Sequence, residues 1–261
     1  MTPEISVILP ARDEEGSIAQ LLQGIAFALR DRAHEIIVVD DASTDGTARV
    51  VARSCQTVPQ LRLIRHARSC GQSAAIRSGV LAARGALIAT LDADGQNPPE
   101  NLPALLAPFV RGAEQPGLVQ GERRDRADRW SRRVASVVAN RIRNALLHDG
   151  VSDSGCGLKA FPRDVYLALP YFDHIHRFMP AMVAREGRQV VTVPVTHAPR
   201  AFGRSKYCNL QRARVGIVDL LGAAWLIRRR RLPQMGAVEV RPDAVPDAGA
   251  SADDLSLNPA E

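Results

Sequence analysis

Apolar residues fall along the chain in two alternating arrangements. Short runs dense in Val, Ile and Leu, "ISVILPA" (5–11), "HEIIVVDDAS" (34–43), "LRLIRHA" (61–67) and "ALIATLDAD" (86–94), read as buried strands. Between them, "EEGSIAQLLQGIAFALRDR" (14–32), "TDGTARVVARSC" (44–55) and "GQSAAIRSGVLAARG" (71–85) space their apolar residues as helices do. Strands alternating with helices of ten to fifteen residues predict right-handed βαβ units on a parallel sheet, whose ligands sit beyond the carboxyl ends of the strands. Polar clusters fall at that edge: "PARDEE" (10–15), "DDASTDG" (40–46) and "DADGQ" (92–96).

Beyond about residue 115 the pattern changes. "GLVQGERRDRADRWSRRVASVVANRIRNALL" (117–147) reads as a short strand and a long arginine-rich helix. Then come "DSGCGLKAF", the helical segment "RFMPAMVAREG", the strand "QVVTVPVTH" and the loop "APRAFGRSKY". The expected fold class is α/β, a mixed and mostly parallel Rossmann-like sheet flanked by helices. Three regions are expected: one catalytic domain over 1–210, an amphipathic helix over 211–232, and a disordered acidic tail over 233–261.

The run 87–91 ends in two carboxylates, Asp92 and Asp94. Residues two apart on a strand share a face, so the pair converges on one point, where like charges repel unless a cation or a proton intervenes. Mg²⁺ or Mn²⁺ with a bound diphosphate meets that demand, and Gln96 adds an amide oxygen. Turn chemistry alone also accounts for Asp and Gly in "DADG". Its position after a buried strand, with two more acidic strand ends nearby, favours the metal reading.

Charge sharpens the picture. The formal net charge of +6 is uneven: from Gln234 onward one Arg faces six acids, and the remainder carries 33 basic against 22 acidic residues, a net of +11. A basic body suggests an anionic partner. Eight arginines lie between Arg123 and Arg143, although a solvated helix face explains most of them. Only two lysines, Lys159 and Lys206, stand against 32 arginines, and both fall in loop motifs.

Other chemistries lack their parts. Aromatic content of 4% and the absence of a recognised module argue against nucleic acid. A receiver domain would not place a strand and helix before "IIVVDDAS", and a sugar nucleotidyltransferase needs a glycine- and lysine-rich loop where "PARDEE" stands. Four scattered cysteines suggest neither a zinc site nor disulfides, and Cys156 has no adjacent base. His176 and His197 read as structural. The glycines of "SGCGLK" lack the flanking strand and helix of a phosphate loop. No signal peptide is read at the start and no apolar run reaches the ~20 residues of a spanning helix, so a cytoplasmic location is expected. The apolar run 215–227 followed by "RRRR" (228–231) suits a helix lying on an anionic membrane face or one buried in the core.

The motifs "VILPARDEEGSI", "IIVVDDASTDGT", "GQSAAIRSGVLAARG", "LDADGQNPPE", "GLKAF", "HRFMPAM" and "GRSKY" resemble the inverting family 2 glycosyltransferases of GT-A fold. Within them they look most like the polyprenyl-phosphate glycosyltransferases, the group of dolichyl-phosphate mannosyltransferase and undecaprenyl-phosphate sugar transferases. The resemblance spans about residues 4 to 230. It implies transfer of a sugar from a nucleotide-diphosphate sugar to a polyprenyl phosphate, with inversion, at the inner face of the cytoplasmic membrane. The alternative is a hydroxyl acceptor on a polysaccharide or glycolipid.

The resemblance also implies roles. Asp92, Asp94 and Arg123 are the catalytic candidates, with Asp94 and Gln96 on the metal. Pro10, Arg12, Glu14, Asp40, Asp41 and Asp92 match the nucleotide-sugar site. Arg132, Ser136, Arg177 and Lys206 match positions around the acceptor phosphate. Two departures stand out: some members carry Tyr where Arg12 is, and many bacterial relatives carry two spanning helices after "SKY", where this chain has one short apolar segment.

Overall fold

The computed structural model describes residues 2–110, 115–123, 143–147, 149–199 and 209–231, the stretch 209–215 by its backbone only. Its first half follows the βαβ pattern: β1 (Ile5–Ala11), α1 (Ile18–Ala28), β2 (His34–Asp40), α2 (Thr47–Ser54), β3 (Leu61–Arg65), α3 (Gln72–Ala82) and β4 (Leu87–Thr90). A short helix, α4 (Leu102–Leu106), and β5 (Leu118–Arg123) follow. Then come β6 (Lys159–Pro162), α5 (Arg163–Ala168), α6 (Ile175–Arg185), β7 (Val190–Val195) and α7 (Asn209–Arg228).

The seven strands form one sheet in the order β3-β2-β1-β4-β6-β5-β7. The pairs β1–β2, β2–β3, β1–β4 and β5–β7 are parallel, whereas β6 runs antiparallel to both β4 and β5. The sheet is therefore mixed and mostly parallel, as expected. Chain order reverses beside β1, between β2 on one side and β4 on the other, and a ligand crevice forms at such a switch point.

Period-two alternation sorts the strand residues onto two faces. Ile5, Val7, Leu9, Ile36 and Val38 pack on one side with Leu21, Leu22 and Ile25 of α1 and Leu102, Leu105 and Leu106 of α4. Ile8, Ile37, Val39 and Ile88 face the other side, against Ala75, Ile76 and Val80 of α3 and Phe178, Met179 and Met182 of α6. Strands covered on both faces show continuous apolar runs, which is why β1, β2 and β4 are conspicuous in the sequence.

α7 joins the second core through Ala223 and Ala224, with Leu220, Leu226 and Ile227 partly buried beside them. His174 Nδ1 pairs with Asp219 at 2.9 Å, and Arg185 Nε donates to the Leu226 carbonyl at 3.0 Å. Among the described residues no helix is long and apolar enough to cross a membrane. The chain divides after Arg229 into a compact unit, Met1–Arg229, and a second unit, Arg230–Glu261. The arginine-rich stretch 124–142, the "GRSKY" loop and the acidic tail lie outside the described residues.

Candidate active site

The carboxyl ends of β1, β2 and β4 carry the acidic clusters to one edge. Parallel pairing puts Ala11 beside Asp40, so the loops after β1 and β2 start level with one another, and Ile8 beside Thr90, so the turn after β4 starts three residues short of the end of β1. Two loops from β1 and β2 are stitched directly. Asp13 N–H donates to Ser43 Oγ at 2.9 Å, Glu14 N–H to Thr47 Oγ1 at 2.8 Å, and Thr44 N–H to Asp13 Oδ1 at 2.7 Å. Asp13 and Ala42 both adopt positive φ, which is uncommon outside glycine and marks tight constraint here.

The two adjacent acids of β2 do different work. Asp40 is buried; its Oδ1 accepts from Ser43 N–H at 2.9 Å and its Oδ2 from Arg65 Nε at 2.9 Å. Asp41 accepts four hydrogen bonds: from Cys70 N–H (2.7 Å) and His66 Nδ1 (2.8 Å) on one oxygen, and from Ser69 Oγ (2.7 Å) and Gly71 N–H (2.9 Å) on the other. Burial pushes its pKa up, but these donors outweigh burial and hold it below its ordinary value. Four bonds use the acceptor capacity of a carboxylate, so Asp41 anchors the loop 66–71. Arg12 Nη1 then donates to Ser69 Oγ at 2.7 Å, tying the first loop to that anchored one.

After β4 the chain enters the turn that carries Asp92 and Asp94. Asp92 opens into the crevice and, among the described residues, has only amide donors on it: Gln72 Nε2 at 2.8 Å and Asn97 Nδ2 at 3.4 Å. Burial, and next the charge of Asp94, push its carboxyl above the ordinary range, against the pull of Lys159 and Arg123. Gly95 takes positive φ (74°), and Gln96 N–H donates to Asp94 Oδ1 at 3.1 Å, which turns the amide back over the carboxylate. Ser17 Oγ holds the Ala93 carbonyl at 2.8 Å, and Ala198 N–H holds that of Gln96 at 2.9 Å.

The segment leading into the antiparallel strand β6 supplies the wall opposite this turn. A Cβ on Gly157 would fall 2.2 Å from Asp92 Oδ2, so only glycine leaves room for the carboxylate. Thr90 Oγ1 donates to the Gly157 carbonyl at 2.8 Å and fixes the approach. Lys159, paired with Thr90 in the β4–β6 ladder, is buried; its Nζ donates to the Ser154 carbonyl at 3.2 Å and also to that of Cys156. Burial pushes this ammonium below its usual value, although Asp92 favours the charged form. Burial likewise raises the Cys156 thiol, which makes it inert in the way expected of a structural cysteine.

Arg123, at the end of β5, is forked onto Asp153: Nε to Oδ2 at 2.7 Å and Nη2 to Oδ1 at 2.8 Å. Those hydrogen bonds raise its pKa, and the charge of Asp92 acts in the same direction. A cavity of about 120 Å³ forms the crevice floor, lined by Pro10, Gln72, Asp92, Lys159, His176 and Arg177 among others. His176 Nδ1 sits 2.7 Å from Ser73 Oγ, and burial followed by the charge of Arg177 holds its pKa well below the ordinary value.

The structure thus gathers Pro10, Asp92, Lys159, His176 and Arg177 around one floor. Arg12, Glu14 and Asp41 sit in the interlocked loops beyond β1 and β2, and Asp40 ends β2. Arg132, Ser136 and Lys206 lie outside the described residues. Sequence reasoning missed Gln72, Asn97, Gly157 and Asp153, whose contacts join segments 5 to 65 residues apart. Lys159 had a signal, its rarity.

The site suits a hard divalent cation. Its donors are carboxylate and amide oxygens, and Asn97 Oδ1 is buried with no hydrogen-bond partner among the described residues.

Comparison with known proteins adds two findings. Solved structures of glucosyl-3-phosphoglycerate synthase from Mycobacterium tuberculosis share the fold. The complex with Mn²⁺, uridine diphosphate and glucosyl-3-phosphoglycerate has a TM-score of 0.67 at 21% identity, over 86% of this chain and 80% of the other. The complex with Mn²⁺, UDP-glucose and phosphoglyceric acid gives 0.68 at 23%, over 85% and 80%. A further mycobacterial protein gives 0.66 at 22%, over 85% and 75%. The second finding is a match of residues 6–169 to the family model described as glycosyl transferase family 2. That stretch runs from β1 through β6 and α5, and so includes the carboxylate turn and its glycine wall. The chain belongs to glycosyl transferase family 2.

Proposed function

We propose that this glycosyltransferase moves a sugar from a nucleotide-diphosphate donor to a polyprenyl phosphate, with inversion and with Mg²⁺ or Mn²⁺ bound. The observation that carries the lipid acceptor is on α7. Ile217, Val218, Leu221 and Trp225 are all exposed and recur at helical spacing, while Ala223 and Ala224 on the same helix are buried. Arg229 lies over the Trp225 ring at 5.9 Å, and four arginines (228–231) follow in sequence. An apolar stripe with tryptophan and a basic end is what an interfacial helix on an anionic membrane requires.

Asp92 and Asp94, with Gln96, would hold the cation, which when bound neutralises charge developing on the leaving diphosphate. Gln72 and the bare edge of Gly157 orient Asp92. Arg123, fixed by Asp153, keeps a cation in place without losing side-chain freedom when the donor arrives. The loops clamped by Asp13, Asp40 and Asp41 would receive the nucleoside, with Pro10, Arg12 and Glu14 along the same edge. A phosphate acceptor is already ionised, so it needs cations to position it and no general base. Arg177 on the crevice floor, with Arg132, Ser136 and Lys206, is assigned to that task.

A second reading has one observation behind it. Among the solved structures that share the fold is a synthase solved with phosphoglyceric acid, a small water-soluble phosphorylated compound. A single experiment separates the two. The purified chain is given nucleotide sugars with Mn²⁺ or Mg²⁺ and either undecaprenyl phosphate in anionic vesicles or 3-phosphoglycerate in solution, with Asp94→Ala as control. Sugar entering the lipid phase and lost in the variant is expected. Product formed only from 3-phosphoglycerate overturns the lipid acceptor and leaves the second reading.

A further inference from the structure

The opposite edge of the sheet carries a second cleft. It lies at the amino ends of β1, β2 and β3, where Ile5 pairs with His34 and Ile36 with Leu61, and its volume is about 400 Å³. Arg30, Arg32, Arg62, Arg84, His34 and Glu35 line it. Nothing in the transfer reaction uses these residues.

Most of the charges there are spoken for. Glu35 is buried and accepts from Ser6 Oγ (2.6 Å), Arg84 N–H (2.6 Å) and Arg62 Nη1 (2.6 Å). Arg62 also donates to the Ala82 carbonyl at 3.0 Å. Arg32 pairs with Glu4, and Arg30 lies near Asp31 at 3.6 Å with its guanidinium over the Phe27 ring. Two groups remain. The Arg84 guanidinium has no hydrogen bond or ion pair among the described residues, although its backbone is fixed on Glu35. His34 is only 8% exposed, and its Nε2 is buried with no partner among the described residues.

The proton inventory of His34 indicates what the cleft takes. Its Nδ1 lies 2.9 Å from the Arg32 carbonyl oxygen, which can only accept, so Nδ1 carries a hydrogen. Nε2 is then a bare lone pair in the neutral ring and an N–H donor in the charged ring. A phosphate monoester satisfies either state, because P–OH donates to the lone pair and P–O⁻ accepts from N–H. Its remaining oxygens suit the arginine forks. A carboxylate, fully ionised at neutral pH, fits only the charged ring.

We propose that this cleft, at the sheet edge opposite the carboxylate crevice, is a second binding site that takes a phosphorylated small molecule on His34 and Arg84. The test uses the full chain with ¹³C-labelled histidine side chains in the presence of EDTA, titrated with inorganic phosphate. The His34 signal, assigned through His34→Gln, is expected to shift along a saturable curve. Arg84→Gln, a change at an exposed residue, is expected to weaken the apparent affinity about tenfold by removing one charge-assisted contact. Asp94→Ala is expected to leave the curve in place. A His34 signal that does not move, drifts without saturating, or saturates at the same concentration in Arg84→Gln overturns the site. Neither donor, acceptor nor metal enters this measurement, so its failure would be distinct from a failure of sugar transfer.

Discussion

Asp41 offers the sharpest test of how the crevice is built. Replacing it with Asn keeps the shape of the side chain and removes its charge, while four donors stay where they are. Whichever way the amide is turned, its NH₂ group confronts a backbone N–H, that of Gly71 in one orientation and of Cys70 in the other. Both N–H groups are part-buried, so leaving one without an acceptor costs about 1–2 kcal/mol, the low end of the range for a buried donor, and the bonds that survive lose their charge assistance, about 1 kcal/mol more. The expected destabilisation is therefore about 2–3 kcal/mol, a large share of the ~5–15 kcal/mol that holds a typical domain.

The pH dependence follows from the direction of the shift. The folded pKa of Asp41 lies below its ordinary value of 3.8. Stability from its ionised form is thus complete above 3.8 and is lost as the pH falls through the lower folded value. Asn lacks that contribution at every pH. Urea unfolding of both chains across the acid range is expected to show a wide, constant gap at and above about pH 5 that narrows below 3.8. Because Arg12 is bonded to Ser69 in the loop that Asp41 anchors, the KM for the donor is expected to rise in the same variant. A gap under about 0.5 kcal/mol at neutral pH, within the range of ordinary surface changes, would refute the anchoring role. So would a gap that stays constant into strong acid.

Three further outcomes are expected. Gly157→Ala places a methyl group 2.2 Å from Asp92 Oδ2, so turnover should fall at least about tenfold while thermal unfolding shows the modest loss of an overpacked site, ~1–3 kcal/mol; wild-type turnover would sink the idea. Lys159→Met removes the ammonium from the Ser154 and Cys156 carbonyls, the second of which keeps the Gln120 amide at 3.2 Å, and unfolding by urea should report about 1–3 kcal/mol lost, with turnover reduced beyond what the folded fraction explains. The double change Leu221→Asp and Trp225→Asp should abolish sedimentation with anionic vesicles without altering the unfolding midpoint, since both side chains are exposed; retained sedimentation removes the membrane role of α7.

How far the sequence reveals this molecule depends on the range of the interaction. β1, β2 and β4 are visible because each is covered on both faces and so spells an apolar run. β6 is not, since four residues, "KAFP", cannot display a period and one of them is a buried lysine. The carboxylate turn is legible because charges directly after a buried strand have no packing purpose. Gly157 is not, because its reason lies on Asp92, 65 positions away, and becomes apparent only once β6 is laid against β4. α7 shows both limits at once. Its letters fitted both a surface helix, the favoured reading, and a core helix, and the structure buries one face and exposes the other.

The acids at the crevice also divide in a way that letters cannot convey. Asp41 and Asp45 have donors from the chain itself: four on Asp41, and on Asp45 both the Thr47 hydroxyl and backbone N–H groups, and both are held below the ordinary carboxylate value despite burial. Asp92 is different: two side-chain amides, one at 3.4 Å, face it, and it shares its turn with Asp94. Among the described residues the chain thus gives backbone N–H groups to the acids that shape the loops, whereas the acid on the crevice floor has only side-chain amides and the charges of Lys159 and Arg123 to set against burial and Asp94. A protein that needed Asp92 only for structure would have met it with backbone donors, as it met Asp41. Under the proposed reaction, leaving that charge to an outside cation would make donor binding and metal binding a single event.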